Sequence, residues 1–185
     1  FLASLFVAIF SASGSIAEEM ENKTILTVIS KPIRRPVFIL AKFVGVAVAV
    51  GLAHFICSIA LLMAIRHGVL ETNADTHDMT VLAAAGISAA VVILLSAFFN
   101  YVYDWKFSST AISLTALLAT VSIIFLVFVD RNWQFNPANN RINLVDVYGA
   151  VLLYLAALII AALALAFSAR FNIMTTLAAC VGIFL

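Results

Sequence analysis

Four long apolar stretches constrain the fold of this chain more than any other feature. They cover residues 37–65, 80–102, 107–129 and 145–168. A helix needs roughly 20 apolar residues to cross about 30 Å of hydrocarbon, so each stretch is long enough to span a bilayer. The stretches are continuously apolar and do not alternate, which favours helices over the strands of a membrane barrel. The sequence therefore predicts an all-α, polytopic transmembrane helix bundle.

The composition supports this class. Apolar residues make up 65% of the chain and charged residues 10%, with a mean hydropathy of +1.17. Soluble domains have about 45–50% apolar and about 25% charged residues. The net charge is only +1 and the bases are clustered, which argues against nucleic-acid binding. Cys57 and Cys180 both lie in apolar stretches, so we interpret them as small hydrophobic residues and predict neither a disulfide nor a metal site.

Shorter apolar runs stand at both ends of the chain, at residues 1–17 and 173–185. Neither is as long as a full span. Because the chain also opens without Met, we expect an internal or trimmed fragment that lacks an N-terminal span and part of a C-terminal one. The prediction is about five complete or near-complete spans and a partial C-terminal span, in a single transmembrane domain over residues 1–185.

A charged segment separates the first two apolar runs. Residues 15–45 contain three acids and five bases. We predict a short interfacial helix from Ile16 to Ile29, with glutamates in its first turns and Lys31 at its C-terminal end, as the helix dipole favours. Pro32 prevents its continuation. Two interpretations stay open, a positively charged anchor without a partner and a docking elbow. The argument for docking is that the carboxylates of Glu18, Glu19 and Glu21 would not help to anchor the segment at an anionic leaflet, whereas they would suit the surface of a protein partner.

The distribution of Lys and Arg predicts the orientation. With residues 18–35 in the cytosol, the outer loops are residues 66–79 and 130–144. The cytosolic side then carries seven bases, namely Lys23, Lys31, Arg34, Arg35, Lys42, Lys106 and Arg170. The opposite side carries three, namely Arg66, Arg131 and Arg141.

Several polar side chains could form sites of their own. His54 and Cys57 are spaced like metal ligands on one helical face, yet a packed or hydrogen-bonded histidine is the more economical interpretation. His67 and His77 lie in an acidic outer loop that also contains Asp75 and Asp78. For these residues we predict a solvated loop rather than a divalent-metal or pH-sensing site. Asn100, Tyr101, Tyr103 and Trp105 predict an interfacial belt around a tight turn at residues 103–106.

The charged segment resembles the signature of ABC-2-type transporter permeases. The residues that carry this resemblance are EEMENKT at 18–24, Leu26, Ser30-Lys31-Pro32, Arg35, Lys42 and Gly45. Ala41-Lys42-Phe43 replaces the usual Gly-Lys entry to the next span. Phe107 to Thr110, Trp133 to Pro137 and Arg170 to Asn172 are more loosely similar to members of the family.

The resemblance implies the transmembrane permease subunit of an ATP-driven exporter, in a bacterial inner (plasma) membrane. It implies a cytosolic ABC ATPase and a second permease subunit, in a homo- or heterodimer, as partners. The coupling elbow would comprise Glu18, Glu19, Glu21, Lys23, Lys31, Pro32, Arg34 and Arg35. ATP would be bound by the partner, and we expect no cofactor, metal or catalytic residue in this chain, which has no Gly-x-x-x-x-Gly-Lys-Ser/Thr loop.

A different class of function also fits the composition, namely a non-transporting membrane subunit that anchors or assembles other proteins. A membrane-embedded enzyme is less favoured, because motifs such as His-Glu-x-x-His and Gly-x-Ser-x-Gly do not occur. An ion-coupled carrier is also less favoured, because no Asp, Glu, Lys or Arg is expected at the membrane centre. The sequence names no transported substrate.

Overall fold

A computed structural model of the chain describes residues 2–21, 35–68, 77–137, 143–168 and 170–184, with the side chains of all of these except 15–21, 35 and 36. Six helices lie in these ranges: α1 (Leu2–Glu21), α2 (Arg35–His67), α3 (Met79–Tyr103), α4 (Phe107–Phe128), α5 (Leu144–Ser168) and α6 (Ile173–Phe184). The described residues contain no β-strand beyond one isolated bridge between Val129 and Phe135. The predicted all-α class is confirmed.

Four of the described helices are long and apolar enough to cross a membrane: Val37–His67, Met79–Tyr103, Phe107–Phe128 and Leu144–Ser168. Their bounds differ from the predicted stretches by at most two residues at either end. Leu2–Gly14 and Ile173–Phe184 are shorter apolar helices and correspond to the two terminal runs. Less than a third of each spanning stretch is buried within the protein, which leaves most of its apolar surface for lipid.

The contacts divide the chain into two compact units, Phe1–His54 with Gly149–Leu185, and Phe55–Tyr148. The single domain expected over residues 1–185 stays a prediction. In the first unit, α1 packs against α6. Small residues let neighbouring backbones approach closely where lipid provides no hydrophobic drive for association. The buried core of the first unit is accordingly rich in alanine. It consists of Leu5, Ala8, Ile9, Ala12, Val46, Val50, Ala157, Ile160, Ala161, Ala164, Leu165 and Cys180.

In the second unit, α3 and α4 form a hairpin closed by the tight turn that the sequence predicts. Asp104 ends α3 in the left-handed conformation at φ 55°, and its backbone N–H bonds to the Phe99 carbonyl. The Asn100 side-chain amide donates to the Trp105 carbonyl at 2.6 Å. A small apolar core, made of Ile59, Met63, Val81 and Leu126 with Ala84, Ala119 and Ile123 against it, joins α3 and α4 to the end of α2.

The helix predicted from Ile16 is wrong in its starting point. The backbone of α1 is helical without a break from Leu2 to Glu21, because residues 15–21 contain no proline or glycine that would end it. The glutamates at 18, 19 and 21 therefore lie far from the first turn of their helix. The helix dipole favours acids in that first turn, so the dipole argument for these residues does not hold. The rest of the predicted helix lies outside the described residues.

Gly51 allows Tyr154 of α5 to reach the backbone of α2. The Tyr154 hydroxyl donates to the Ala47 carbonyl at 3.0 Å. A Cβ atom at Gly51 would lie 2.9 Å from the Tyr154 hydroxyl oxygen and 3.4 Å from its Cζ. A side chain at this position would therefore displace the ring and break the bond, whereas a Cβ atom at Gly45 would meet nothing within 4 Å.

We predict that Gly51→Ala is less stable than Gly45→Ala by about 1–3 kcal/mol, the usual cost of overpacking. Both substitutions gain the same helix propensity, so their comparison isolates the clash with Tyr154. SDS titration of the purified protein, followed by circular dichroism, measures the difference. Equal midpoints for the two variants would show that the ring moves aside without cost.

Candidate functional site

The predicted coupling elbow lies mostly outside the described residues. Glu18, Glu19 and Glu21 belong to the end of α1 by their backbone, and Arg35 is the first residue of α2, but the side chains of these four are not described. Lys23, Lys31, Pro32 and Arg34 lie outside the described ranges. The elbow as a docking site therefore stays a prediction.

Two clusters of described polar side chains, one in each unit, connect helices that are distant in the sequence. The first is built around Asp78, the N-cap of α3. Its Oδ1 accepts from the backbone N–H of Thr80 at 3.1 Å and of Val81 at 3.3 Å, and from the Thr80 hydroxyl at 2.5 Å. The side chain is only 1% exposed. An N-cap of this kind satisfies N–H groups that the first helical turn leaves without partners.

Two arginines share the other oxygen of this carboxylate. The Nε atoms of Arg66 and Arg131 both lie 3.5 Å from Asp78 Oδ2. Arg66 also donates to the Leu126 carbonyl and, at 2.7 Å, to the Val129 carbonyl, at the C-terminal end of α4. A cation is favoured there by the helix dipole. Arg131 donates to the His67 carbonyl at 2.8 Å.

The ion pairs and hydrogen bonds determine the charge state of Asp78. Burial alone raises the pKa of its carboxyl group. The bonds from the Thr80 hydroxyl and the Val81 and Thr80 N–H groups, together with the charge of Arg66, outweigh burial and lower the pKa below its ordinary value of 3.8. Asp78 is thus a carboxylate at neutral pH with its hydrogen-bonding capacity in use, which suits it to hold three segments together rather than to bind a ligand.

The solvated loop predicted around Asp78 is wrong for this residue. Asp78 is buried. It pairs with Arg66 in the last turn of α2 and with Arg131 after α4, so the described parts of the two predicted outer loops meet at this carboxylate. The sequence did hold one signal, an Asp two residues before the predicted apolar stretch 80–102, because Asp is among the residues that helix N-caps prefer. No local pattern identifies the two arginines, because Arg66 and Arg131 lie 12 and 53 positions from Asp78 in the sequence.

His67 and His77 lie beside this cluster with their rings stacked, the centroids 5.6 Å apart and the planes at 20°. Within the described residues, no three His, Cys, Asp or Glu side chains are grouped as a metal ion would need.

The second cluster is centred on His54 in the first unit. His54 Nε2 lies 2.9 Å from the Ala150 carbonyl oxygen, and its Nδ1 lies 2.9 Å from the Ser4 hydroxyl. A carbonyl can only accept, so Nε2 carries the hydrogen; in the neutral ring Nδ1 then accepts from Ser4. The ring of Tyr154 lies 5.7 Å away. The hydrogen-bonded histidine predicted from sequence is confirmed, and this cluster joins α1, α2 and α5.

Comparisons with known proteins identify a family. The family model described as ABC-2 family transporter protein matches residues 1–103, which is more than half of the 185 residues. The matched region contains α1, α2 and α3 and all eight elbow residues. Neither the curated proteins nor the solved structures contain a match to the chain.

We predict that Asp78→Asn lowers the free energy of unfolding by about 3 kcal/mol, because Arg66 would lose the charge that compensates it in a largely buried site. Arg131 is half exposed and contributes little to this loss. SDS titration measures the change. Asp104→Asn is the matched control, since Asn is well tolerated in the left-handed conformation of that exposed cap, and it should change stability by less than about 0.5 kcal/mol. A loss no larger than that of the control would contradict the role of Asp78.

The lowered pKa of Asp78 also predicts a pH dependence. The folded pKa lies below the unfolded one, so the carboxylate contributes stability above the unfolded pKa and loses it as the pH falls through the folded pKa. The stability difference between wild type and Asp78→Asn should be constant above about pH 5 and shrink as the pH drops below 3.8. Unfolding midpoints measured across this range test the prediction, and a difference that grows towards acid would refute it.

Proposed function

Because the chain belongs to the ABC-2 family of transporter proteins, a multi-pass membrane permease in which four described helices can span the bilayer, we propose that it is the transmembrane subunit of an ATP-driven exporter. In this proposal a separate cytosolic ABC ATPase docks on the elbow formed by residues 18–35. A second permease subunit completes the transporter in a bacterial inner membrane.

The observation that carries this proposal is the position of the charged elbow within the matched region. Residues 18–35 run from the last described turn of α1 to the first residue of α2 and hold four of the seven bases assigned to the cytosolic side. Each crossing of the bilayer reverses the side, so the α3–α4 turn, with Lys106, falls on the same side as the elbow. The bias of Lys and Arg places that side in the cytosol, where an ATPase could reach it.

The proposed energy source also agrees with the charges in the spans. An ion-coupled carrier needs an ionisable group within the membrane, where a charge costs at least about 2.5–3.5 kcal/mol on insertion scales. Among the described residues, the acidic side chains in or next to a spanning helix lie at helix ends, namely Asp78, Asp104 and Asp146. His54 does lie in the middle of α2, but both of its ring nitrogens are used in the hydrogen bonds to Ser4 and to the Ala150 carbonyl. Energy would therefore enter through contact with an ATPase at the elbow rather than through an ion path.

The two polar clusters would then serve the elbow indirectly. The elbow connects α1 to α2, and His54 on α2 bonds to Ser4 of α1 and to the Ala150 carbonyl of α5. A force applied at the elbow would thus act on helices that are held together in the first unit. The Asp78 cluster fixes the far end of α2 to α3 and to the turn after α4.

Affinity purification in mild detergent, with mass spectrometry of the proteins recovered, tests this function. We expect an ABC ATPase to co-purify with the wild-type protein. Glu19→Lys with Glu21→Lys should reduce its recovery at least about tenfold, since reversed charges on a docking surface repel the partner.

The matched control is Glu71→Lys with Asp75→Lys, which makes the same change in net charge on the loop predicted to lie outside. It should leave recovery of the ATPase unchanged. If no ATPase accompanies the wild-type protein under conditions that preserve other ABC complexes, the elbow is only a charged anchor. An assembly or anchoring subunit would then be the better description.

A further inference from the structure

Two buried hydroxyl groups of the first unit have no hydrogen-bond partner among the described residues. They belong to Ser13 of α1, which is 1% exposed, and to Thr176 of α6, which is fully buried. The other two buried hydroxyls described in this unit, those of Ser4 and Ser168, are bonded to a histidine nitrogen and to a backbone carbonyl. A buried hydroxyl has lost its bonds to solvent, so it is expected to have a partner in the folded protein.

The helices that carry the two hydroxyls pack against each other and run in opposite directions. α1 contacts α6. Each described helix that enters the bilayer reverses the direction of the one before it, and α6 follows α1 by five such steps. The bonds between α2 and α5 agree with this alternation, because Tyr154 reaches Ala47 whereas the later residue His54 reaches the earlier residue Ala150.

The two hydroxyls occupy the same layer of the contact between α1 and α6. Ile9 of α1 and Cys180 of α6 are both fully buried in one apolar core. Residues four positions apart lie on the same face of a helix, one turn apart. Ser13 follows Ile9 by four positions and Thr176 precedes Cys180 by four. Because the helices are antiparallel, both steps lead toward the elbow and reach the same level.

A water molecule is the ligand that two such hydroxyls fit. Each hydroxyl offers a donor and acceptor positions, and a buried water needs roughly two to four polar partners. Neither hydroxyl carries a charge, so the pair offers no compensation to an ion that is taken out of water. The Ser168 hydroxyl shows the alternative, a bond to a carbonyl of its own helix, and neither Ser13 nor Thr176 makes such a bond within the described residues.

We propose that Ser13 and Thr176 together bind one buried water molecule between α1 and α6. α1 is then held in two different ways along its length. At the end remote from the elbow, the Ser4 hydroxyl bonds directly to His54 at 2.9 Å. At the elbow end the contact runs through water, which is nearly as favourable as a direct hydrogen bond and tolerates a wider range of separations. The elbow end of α1 can therefore shift by a small distance against α6 while its other end stays fixed, whichever protein docks on the elbow.

A double-mutant cycle tests the shared water. Ser13→Ala and Thr176→Val each remove one hydroxyl, and each should raise the unfolding constant in an SDS titration about fivefold, the usual effect of one hydrogen bond. Because either substitution removes a partner that the water needs, the double variant should be no less stable than the single ones. Thr176→Ser keeps the hydroxyl, so Ser13→Ala should still cost about fivefold in that background.

The matched control is Ser168→Ala, because the Ser168 hydroxyl is buried in the same unit but bonds within its own helix. Its effect on the unfolding constant should multiply with that of Ser13→Ala. If the effects of Ser13→Ala and Thr176→Val also multiply, the two hydroxyls share no water and the proposal is wrong. It is equally wrong if either of these variants is more stable than the wild type.

Water-edited solid-state NMR of the wild-type protein in vesicles tests the site without any substitution. Thr110 is the reference, since Thr110 and Thr176 are each the fourth residue of a helix that begins on the elbow side. Thr110 is partly exposed, and its hydroxyl donates to the Lys106 carbonyl. A bound water should transfer polarisation to the buried Thr176 side chain at least as fast as water reaches Thr110. Transfer to Thr176 that is twofold slower or more would overturn the proposal.

Discussion

The carboxylate of Asp78 connects three segments of the second unit that are distant in the sequence. It caps α3, pairs with Arg66 at the end of α2, and pairs with Arg131 after α4. Its negative charge also compensates the positive charge of Arg66, whose guanidinium group donates to the carbonyls at the end of α4. Removing the carboxylate would leave buried N–H donors and a buried positive charge without a partner. The free energy lost in this way exceeds the net stabilisation that the hydrogen bonds and ion pairs contribute.

Such a closed cluster is needed where the helices leave the hydrocarbon. Lipid tails are as apolar as leucine, so apolar contact contributes little to the association of helices. The apolar core of the second unit is small, with four buried residues in its central group. Hydrogen bonds and ion pairs at the helix ends can instead determine which helices meet. In the first unit the same task falls to closely packed alanines and to the bonds of His54.

The Asp78 cluster in the second unit, and the alanine packing with the His54 bonds in the first, bear on how a permease of this family could work. Both ring nitrogens of His54 and both carboxylate oxygens of Asp78 have partners, which suits the two clusters to hold helices together. The charges available for a partner are concentrated in the elbow, in the matched part of the chain. In the proposed exporter, motion would start at the elbow and act first on α1 and α2, which it connects.

The sequence by itself determined the helical class and the limits of the four long spans, because the thickness of the bilayer imposes a length on every apolar run. It also indicated the family, through the charged residues from Glu18 to Lys42. Only the tertiary structure decided that Asp78 is buried and that Arg66 and Arg131 share it. Hydropathy records the cost of placing a residue in lipid, whereas an ion pair depends on which helix ends fold together. The same holds for Gly51 and Tyr154, since a local pattern cannot show a close approach between residues that are 103 positions apart.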